Sequence, residues 1–112
     1  MIEKTVLDYL RAEMSVPVYM EMPRKPAGMF CVIEKTGSDV TNYIHTATIA
    51  VQSYAPDMLK AAEINDAVKR MMAQITTLPT IAGCRLNSDY NFTDTEMRIY
   101  RYQAVFEIIH YE

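Results

Sequence analysis

Glycine, cysteine and histidine are all scarce in this chain, and no long apolar run is present. Only three glycines occur among 112 residues, Gly28, Gly37 and Gly83, and each stands alone. Isolated glycines build neither a phosphate-cradling Walker loop nor a dinucleotide-binding fingerprint. Two cysteines, Cys31 and Cys84, are too few for a disulfide scaffold. Both sit in apolar stretches and read as reduced, buried thiols of a cytosolic protein, with a Cys31–Cys84 pairing left open. Catalysis by either would need a neighbouring base and a partly exposed thiolate. The two histidines, His45 and His110, lack the local spacing of a metal site and read as structural or surface residues. The absence of about 18 consecutive apolar residues excludes a membrane-spanning helix. Met1-Ile2-Glu3-Lys4 has no uncharged apolar h-region, so no signal peptide is expected. Without one, the glycosylation triplet Asn91-Phe92-Thr93 carries no weight.

What is present points to one folded domain over residues 1–112. Half of the residues are hydrophobic and 22% are charged, which argues against disorder. The net charge is -3 and the pI is near 5.3, so binding of nucleic acid through a strong positive field is disfavoured. Nine methionines and eight tyrosines stand out. A Met-rich core is the favoured reading, and an adaptable contact surface is the alternative.

Periodicity divides the chain into seven elements. Ile2, Val6, Tyr9/Leu10 and Met14 recur at helical spacing, which predicts a helix over 2–14. Val16 to Met22 alternates and reads as a strand, with Pro17 placing it at an edge. A turn-forming loop follows at 23–28, then the apolar run Met29–Ile33 reads as a buried strand reaching Lys35. Residues 36–42 read as a turn. Residues 43–54 alternate as a strand, and 57–75 form a second helix that begins at Asp57. Its predicted inward stripe is Met58, Ala61, Ala62, Asn65, Val68, Met72 and Ile75. Strands over 81–88, with Gly83 at a bulge, and over 97–111 complete the chain, separated by a polar loop at 89–96. The predicted fold is α+β, ordered α-β-β-β-α-β-β, with a mixed, mostly antiparallel sheet and both helices on one face. The other face is expected to be more polar. If the first three strands form hairpins, the fourth runs parallel to the third. Loops 23–28 and 89–96 then share one end of the sheet, opposite loop 36–42.

The segment Val16-Pro17-Val18-Tyr19-Met20-Glu21-Met22-Pro23, with Pro26 and the run Phe30-Cys31-Val32-Ile33-Glu34-Lys35-Thr36-Gly37, resembles the front half of phage neck proteins. Gln52-Ser53-Tyr54-Ala55-Pro56 before the helix Met58–Met72, and Arg101-Tyr102-Gln103-Ala104-Val105-Phe106 near the end, extend the likeness along nearly the whole chain. Together they resemble the tail terminator (tail completion, head-tail joining) proteins of long-tailed phages and prophages. That family often has Trp where Tyr54 stands and Gly where Ser38 stands.

The resemblance implies a structural protein with no enzyme activity and no cofactor. It implies a ring, usually hexameric, that caps the tail tube, stops its polymerisation and presents a surface to the head connector. Its partners would be further copies of itself, the tail tube protein and head connector proteins, with DNA only passing through the lumen and no membrane contact. A net negative subunit suits a passage that does not grip phosphates. Assembly would take place in the bacterial host cytoplasm and the product would lie in the virion neck.

Contact candidates follow from the expected strand directions. Arg24 and Lys25 would share one sheet end with Asp89, Asp94 and Glu96, and Arg98, Tyr100, Arg101 and Tyr102 would form an Arg/Tyr strand face. A small dimeric ligand-binding or regulatory α+β domain is the competing reading. Solution mass separates the two, since a dimer holds two copies of the 12.9 kDa chain and a hexamer six.

Overall fold

A computed structural model describes residues 1–25 and 28–111 of the chain. The described elements are α1 (Ile2–Glu13), β1 (Val18–Tyr19), β2 (Phe30–Thr41), β3 (Ile44–Ala55), α2 (Met58–Met72), a short 3-10 turn (Ile75–Thr77), β4 (Ile81–Asn91) and β5 (Tyr100–His110). The fold is α+β with the expected order. The five strands form one mixed sheet in the order β1-β2-β3-β5-β4.

Each helix forms where its local chemistry favours it. In α1, Val6 and Leu10 are fully buried at four-residue spacing, while Lys4 and Asp8 pair on the outer face at 2.7 Å. In α2, the Asp57 side chain accepts a hydrogen bond from the Lys60 backbone N–H at 2.8 Å and caps the helix. Its buried stripe is Ala61, Ile64, Asn65, Val68 and Met72. Met58 and Ala62, both predicted to face inward, are only half-buried, and Ile64 takes part instead. The helix stops at Met72, and Ile75 reaches the core from the 3-10 turn.

The main core lies between these helices and one face of the sheet. Cys31, Ile33, Ala47, Ile49, Val51, Ala104, Phe106 and Ile108 contribute its sheet side. From α2, Val68 packs there against Ile49, Val51 and Phe106 of the sheet. Phe30 and Val32 are buried instead on the opposite face with Tyr54, against Tyr19. Val105, on that same face, is only half-buried.

Four expectations require correction. The predicted strand Val16–Met22 shrinks to two residues, and it runs parallel to β2 rather than forming a hairpin with it. Arg11 Nε donates to the Val18 carbonyl at 2.9 Å and Cys31 N–H donates to the Pro17 carbonyl at 2.8 Å, so β1 is held beside both α1 and β2. The described residues 20–25 and 28–29 lie between β1 and β2, and Met20, Met22 and Met29 among them are exposed. With Met97 also 70% exposed, the Met-rich core reading fails: only Met72 is fully buried.

Residues 36–41, read as a turn, continue β2. The reversal occurs at Asn42 and Tyr43, both at positive φ (52° and 67°), as a type I′ hairpin demands. Asn suits the first of these positions, whereas Tyr43 bears some backbone strain there and is 95% exposed. The polar loop moves to 92–99 because β4 extends to Asn91 and β5 begins only at Tyr100. The Cys31–Cys84 pairing, an open alternative rather than an expectation, does not form: both thiols are free, and β3 and β5 separate Cys31 on β2 from Cys84 on β4. Three strand intervals are about 14 Å, beyond disulfide reach.

Other expectations hold. β4 and β3 are both antiparallel to β5, so β4 runs in the direction of β3 with β5 between them. A register shift brackets Ala82 beside Gly83. Phe30, Tyr54, Arg101 and Asn91 share one sheet end, while the hairpin tip lies at the other.

Val68 is fully buried against the sheet. Val68→Asp should therefore cost about 3 kcal/mol or more, because its carboxylate would lack a partner. Thermal unfolding followed by circular dichroism measures this. An unchanged melting temperature would show that the α2 register is wrong.

Candidate interaction surface

The helix-free face carries a ribbon of aromatic and polar side chains near one end of the sheet. It starts at the β1 edge. Tyr19 meets Phe30 edge-on at 6.1 Å, and Phe30 stacks on Tyr54 at 4.6 Å with planes 4° apart. These rings bury each other on neighbouring strands because antiparallel pairing sets Phe30 opposite Tyr54.

A relay of donors then crosses β3, β5 and β4. Arg101 donates to the Tyr54 hydroxyl at 3.3 Å, and Tyr54 donates to Gln52 Oε1 at 3.1 Å. Gln52 Nε2 donates to Gln103 Oε1 at 2.9 Å, and Gln103 Nε2 donates to the Tyr90 hydroxyl. Such chains polarise one another and resist register slips. The Arg101 guanidinium also lies 4.4 Å from the centre of the Phe92 ring, and its Nε donates to the Phe92 carbonyl at 2.7 Å. Tyr90 meets Phe92 edge-on at 5.9 Å. Tyr90 and Phe92 remain exposed, so the ribbon ends in an aromatic rim at the β4 edge.

The nine predicted contact residues separate into distinct roles. Arg101 is the hub of the ribbon. Tyr102 faces the other way and packs against the main core, so the expected shared Arg/Tyr face does not form. Tyr100 is half-buried at the start of β5. Arg98 is exposed at positive φ (55°) within the 92–99 turn. In that turn the Asp94 carboxylate accepts from the backbone N–H groups of Glu96 and Met97, each at 3.1 Å, leaving the Glu96 side chain exposed.

Asp89 lies in β4 rather than in a loop. It pairs with Lys69 of α2 at 3.2 Å, a contact that raises the Lys69 pKa and clamps the edge strand to the helix. Arg24 and Lys25 are exposed, and Arg24 lines a hollow with Leu7, Arg11 and Tyr19 beside β1. The remaining loop positions Pro26 and Ala27 lie outside the described residues. Since β1 and β4 are opposite edges, about 19 Å apart at four strand spacings, the basic and acidic candidates do not form one patch within a protomer.

Tyr19, Phe30, Gln52, Tyr54, Tyr90, Phe92 and Gln103 were not expected as a group. Their period-two placement is visible in the sequence, but only the register aligns them. His45 and His110 also meet, as cross-strand partners with ring centres 5.3 Å apart. Among the described residues no group of three or more His, Cys, Asp or Glu could hold a metal ion. No protein-family model matches the chain, and no curated protein matches it.

Arg101→Ala should lower stability by about 1–3 kcal/mol by removing the guanidinium–ring contact and its hydrogen bonds. Hydrogen exchange should accelerate at the Phe92 and Ile99 amides, whereas the α2 amides should change only with global stability. Unaltered exchange in the 92–99 turn would contradict the hub role.

The thiols give a second test. Burial raises both Cys31 and Cys84 to about 11 from the ordinary 9.0. Their neutral forms favour folding below pH 9, and this contribution disappears as pH rises from 9 towards about 11. A thiol reagent at pH 7 should label half-buried Cys84 slowly and Cys31 more slowly still, with both becoming fast in denaturant. Rapid labelling of Cys31 in the folded protein would contradict this burial.

Proposed function

We infer that this chain is a ring-forming structural protein of the tail-terminator type, which caps a phage tail tube and offers its other side to the head connector. The single observation that carries the reading is how much interface-like surface the chain leaves uncovered. Among the described residues no further strand covers either edge of the sheet, and the outer eight residues of β2 are exposed. The hairpin tip presents Val40, Tyr43 and Ile44 to solvent. An open sheet with different chemistry at its two edges suits head-to-tail association, which either closes into a ring or continues as a filament. The sequence resemblance supplies the tail-tube setting. In that setting the exposed methionines of the crossover and the aromatic rim suit adaptable contacts with tube or connector.

The basic crossover residues, Arg24 and Lys25, and the acidic turn residue Glu96 lie towards opposite edges of one protomer. A head-to-tail neighbour would bring such edges together. Mixed-sign surfaces of this kind direct and register partners more than they add affinity.

Electron microscopy and sedimentation test this reading. The purified chain, or the chain mixed with a phage tail tube protein, should form closed rings. A hexameric ring would sediment with six times the mass of the 12.9 kDa chain. Adding the chain to polymerising tube should halt growth. Arg24→Glu with Lys25→Glu should retain the native circular-dichroism spectrum yet lose ring formation or tube capping. A stable dimer that leaves tube growth unaffected would favour the small ligand-binding domain instead.

A further inference from the structure

We propose that the free outer edge of β2, residues 34–41, pairs antiparallel with the outer edge of β4 in a second copy of this chain. This deepens the ring reading and rests on it for the existence of a second copy. The geometry comes from the sheet itself. β1 covers β2 only at Cys31 and Val32. From Glu34 onwards, no described strand pairs with β2 on that side; Met20–Met22 flank it only as far as Glu34, across a shared hollow. β4 likewise has no described strand beyond it. Exposed edges of this length are templates for another strand. The eight free β2 residues extend about 26 Å.

Directions and levels both match. β2 is antiparallel to β3, β3 to β5, and β5 to β4, so β4 runs opposite to β2. Repeating the protomer sideways about an axis near the strand direction therefore places β4 antiparallel to the next copy's β2. The observed pairings also give each residue's level across the sheet. Glu34 is level with Ala50, Val105 and Ser88, while Gly37 is level with Thr48, Glu107 and Arg85. Asp39 is level with Thr46, Ile109 and Gly83. Register shifts interrupt β2 between Lys35 and Gly37, and β4 at Ile81/Gly83 and Leu86/Ser88. The regular stretches meet at the same height over 37–39 in β2 and 83–85 in β4.

Charge complements this alignment. Side chains of paired residues point to the same side of a sheet. Arg85 and Glu107 lie on the helix-free face, as do Glu34 and Asp39. A neighbouring copy would therefore bring Glu34 and Asp39 to either side of Arg85. Within its own chain Arg85 bonds to Glu107, and its side chain is still 74% exposed, leaving further donors of the guanidinium fork available. In the same step Val40, exposed on the isolated arm, arrives level with buried Ile81.

The test is a charge swap read by analytical ultracentrifugation. Arg85→Glu, and separately Glu34→Lys with Asp39→Lys, should keep the native circular-dichroism spectrum. Each variant alone places like charges at every contact, so its mass should fall from the assembled wild-type value to 12.9 kDa. An equimolar mixture should restore the assembly, because alternating copies make every contact complementary in a ring of even number. The triple variant should assemble by itself. Wild-type rings that survive unchanged in both variants would overturn the strand pairing and leave the ring reading standing. Filaments in place of rings, lost and rescued by the same swap, would support the pairing and overturn the ring. A wild-type chain that remains at 12.9 kDa, with and without tube protein, would overturn both.

Discussion

The governing constraint is a mismatch in length between the helices and the strands they cover. α2 has 15 residues, about 22 Å at helical rise. β3 has 12 residues, about 40 Å at strand rise. A layer of such helices can shield only part of the sheet. The burial of β2 records the limit: its first four residues are buried and its remaining eight are exposed. The outer hairpin therefore projects from the packed region, and the molecule measures 45 × 25 × 24 Å. The arm, its apolar tip and its unpaired edge all follow from this geometry.

The uncovered face needs a different means of holding its strands in place. Where α1 and α2 pack, large apolar side chains such as Ile49, Val51 and Phe106 make a register slip costly. On the helix-free face, the donor relay from Arg101 to Tyr90 connects three strands through side chains of defined polarity. The stacked Phe30 and Tyr54 connect the remaining pair, β2 and β3. At the β4 edge, Lys69 and Asp89 provide a link to α2. The protein thus anchors the strands at the 92–99 end from both faces, while the hairpin end stays free of such connections to the helices beyond Glu3 and Lys35.

This division has a functional implication. The anchored end fixes the register of the sheet, while the arm leaves the outer edge of β2 exposed. The crossover at 20–25 and the turn at 92–99 add exposed methionines at either side of the sheet, where a partner of irregular shape can be accommodated.

Much of the fold was legible in the sequence because its strongest signals are local. The Val6/Leu10 spacing, the Asp57 cap and the long alternation through 43–54 each identify an element from neighbouring residues. The α+β order and the opposite placement of the hairpin tip follow from the same signals. Alternation alone did not reveal that Val16–Met22 pairs for only two residues, because pairing depends on what lies beside a strand. The polar run 36–41 resembled a turn because its β-structure is supported by β3 across the hairpin rather than by its own side chains. The face shared by Arg101, Tyr54, Gln52, Gln103 and Tyr90 depended on register, a relation between residues up to 51 positions apart. Composition and periodicity determined which segments become helices and strands; only tertiary structure decided which edges stay open and which side chains meet, since those outcomes arise from long-range packing.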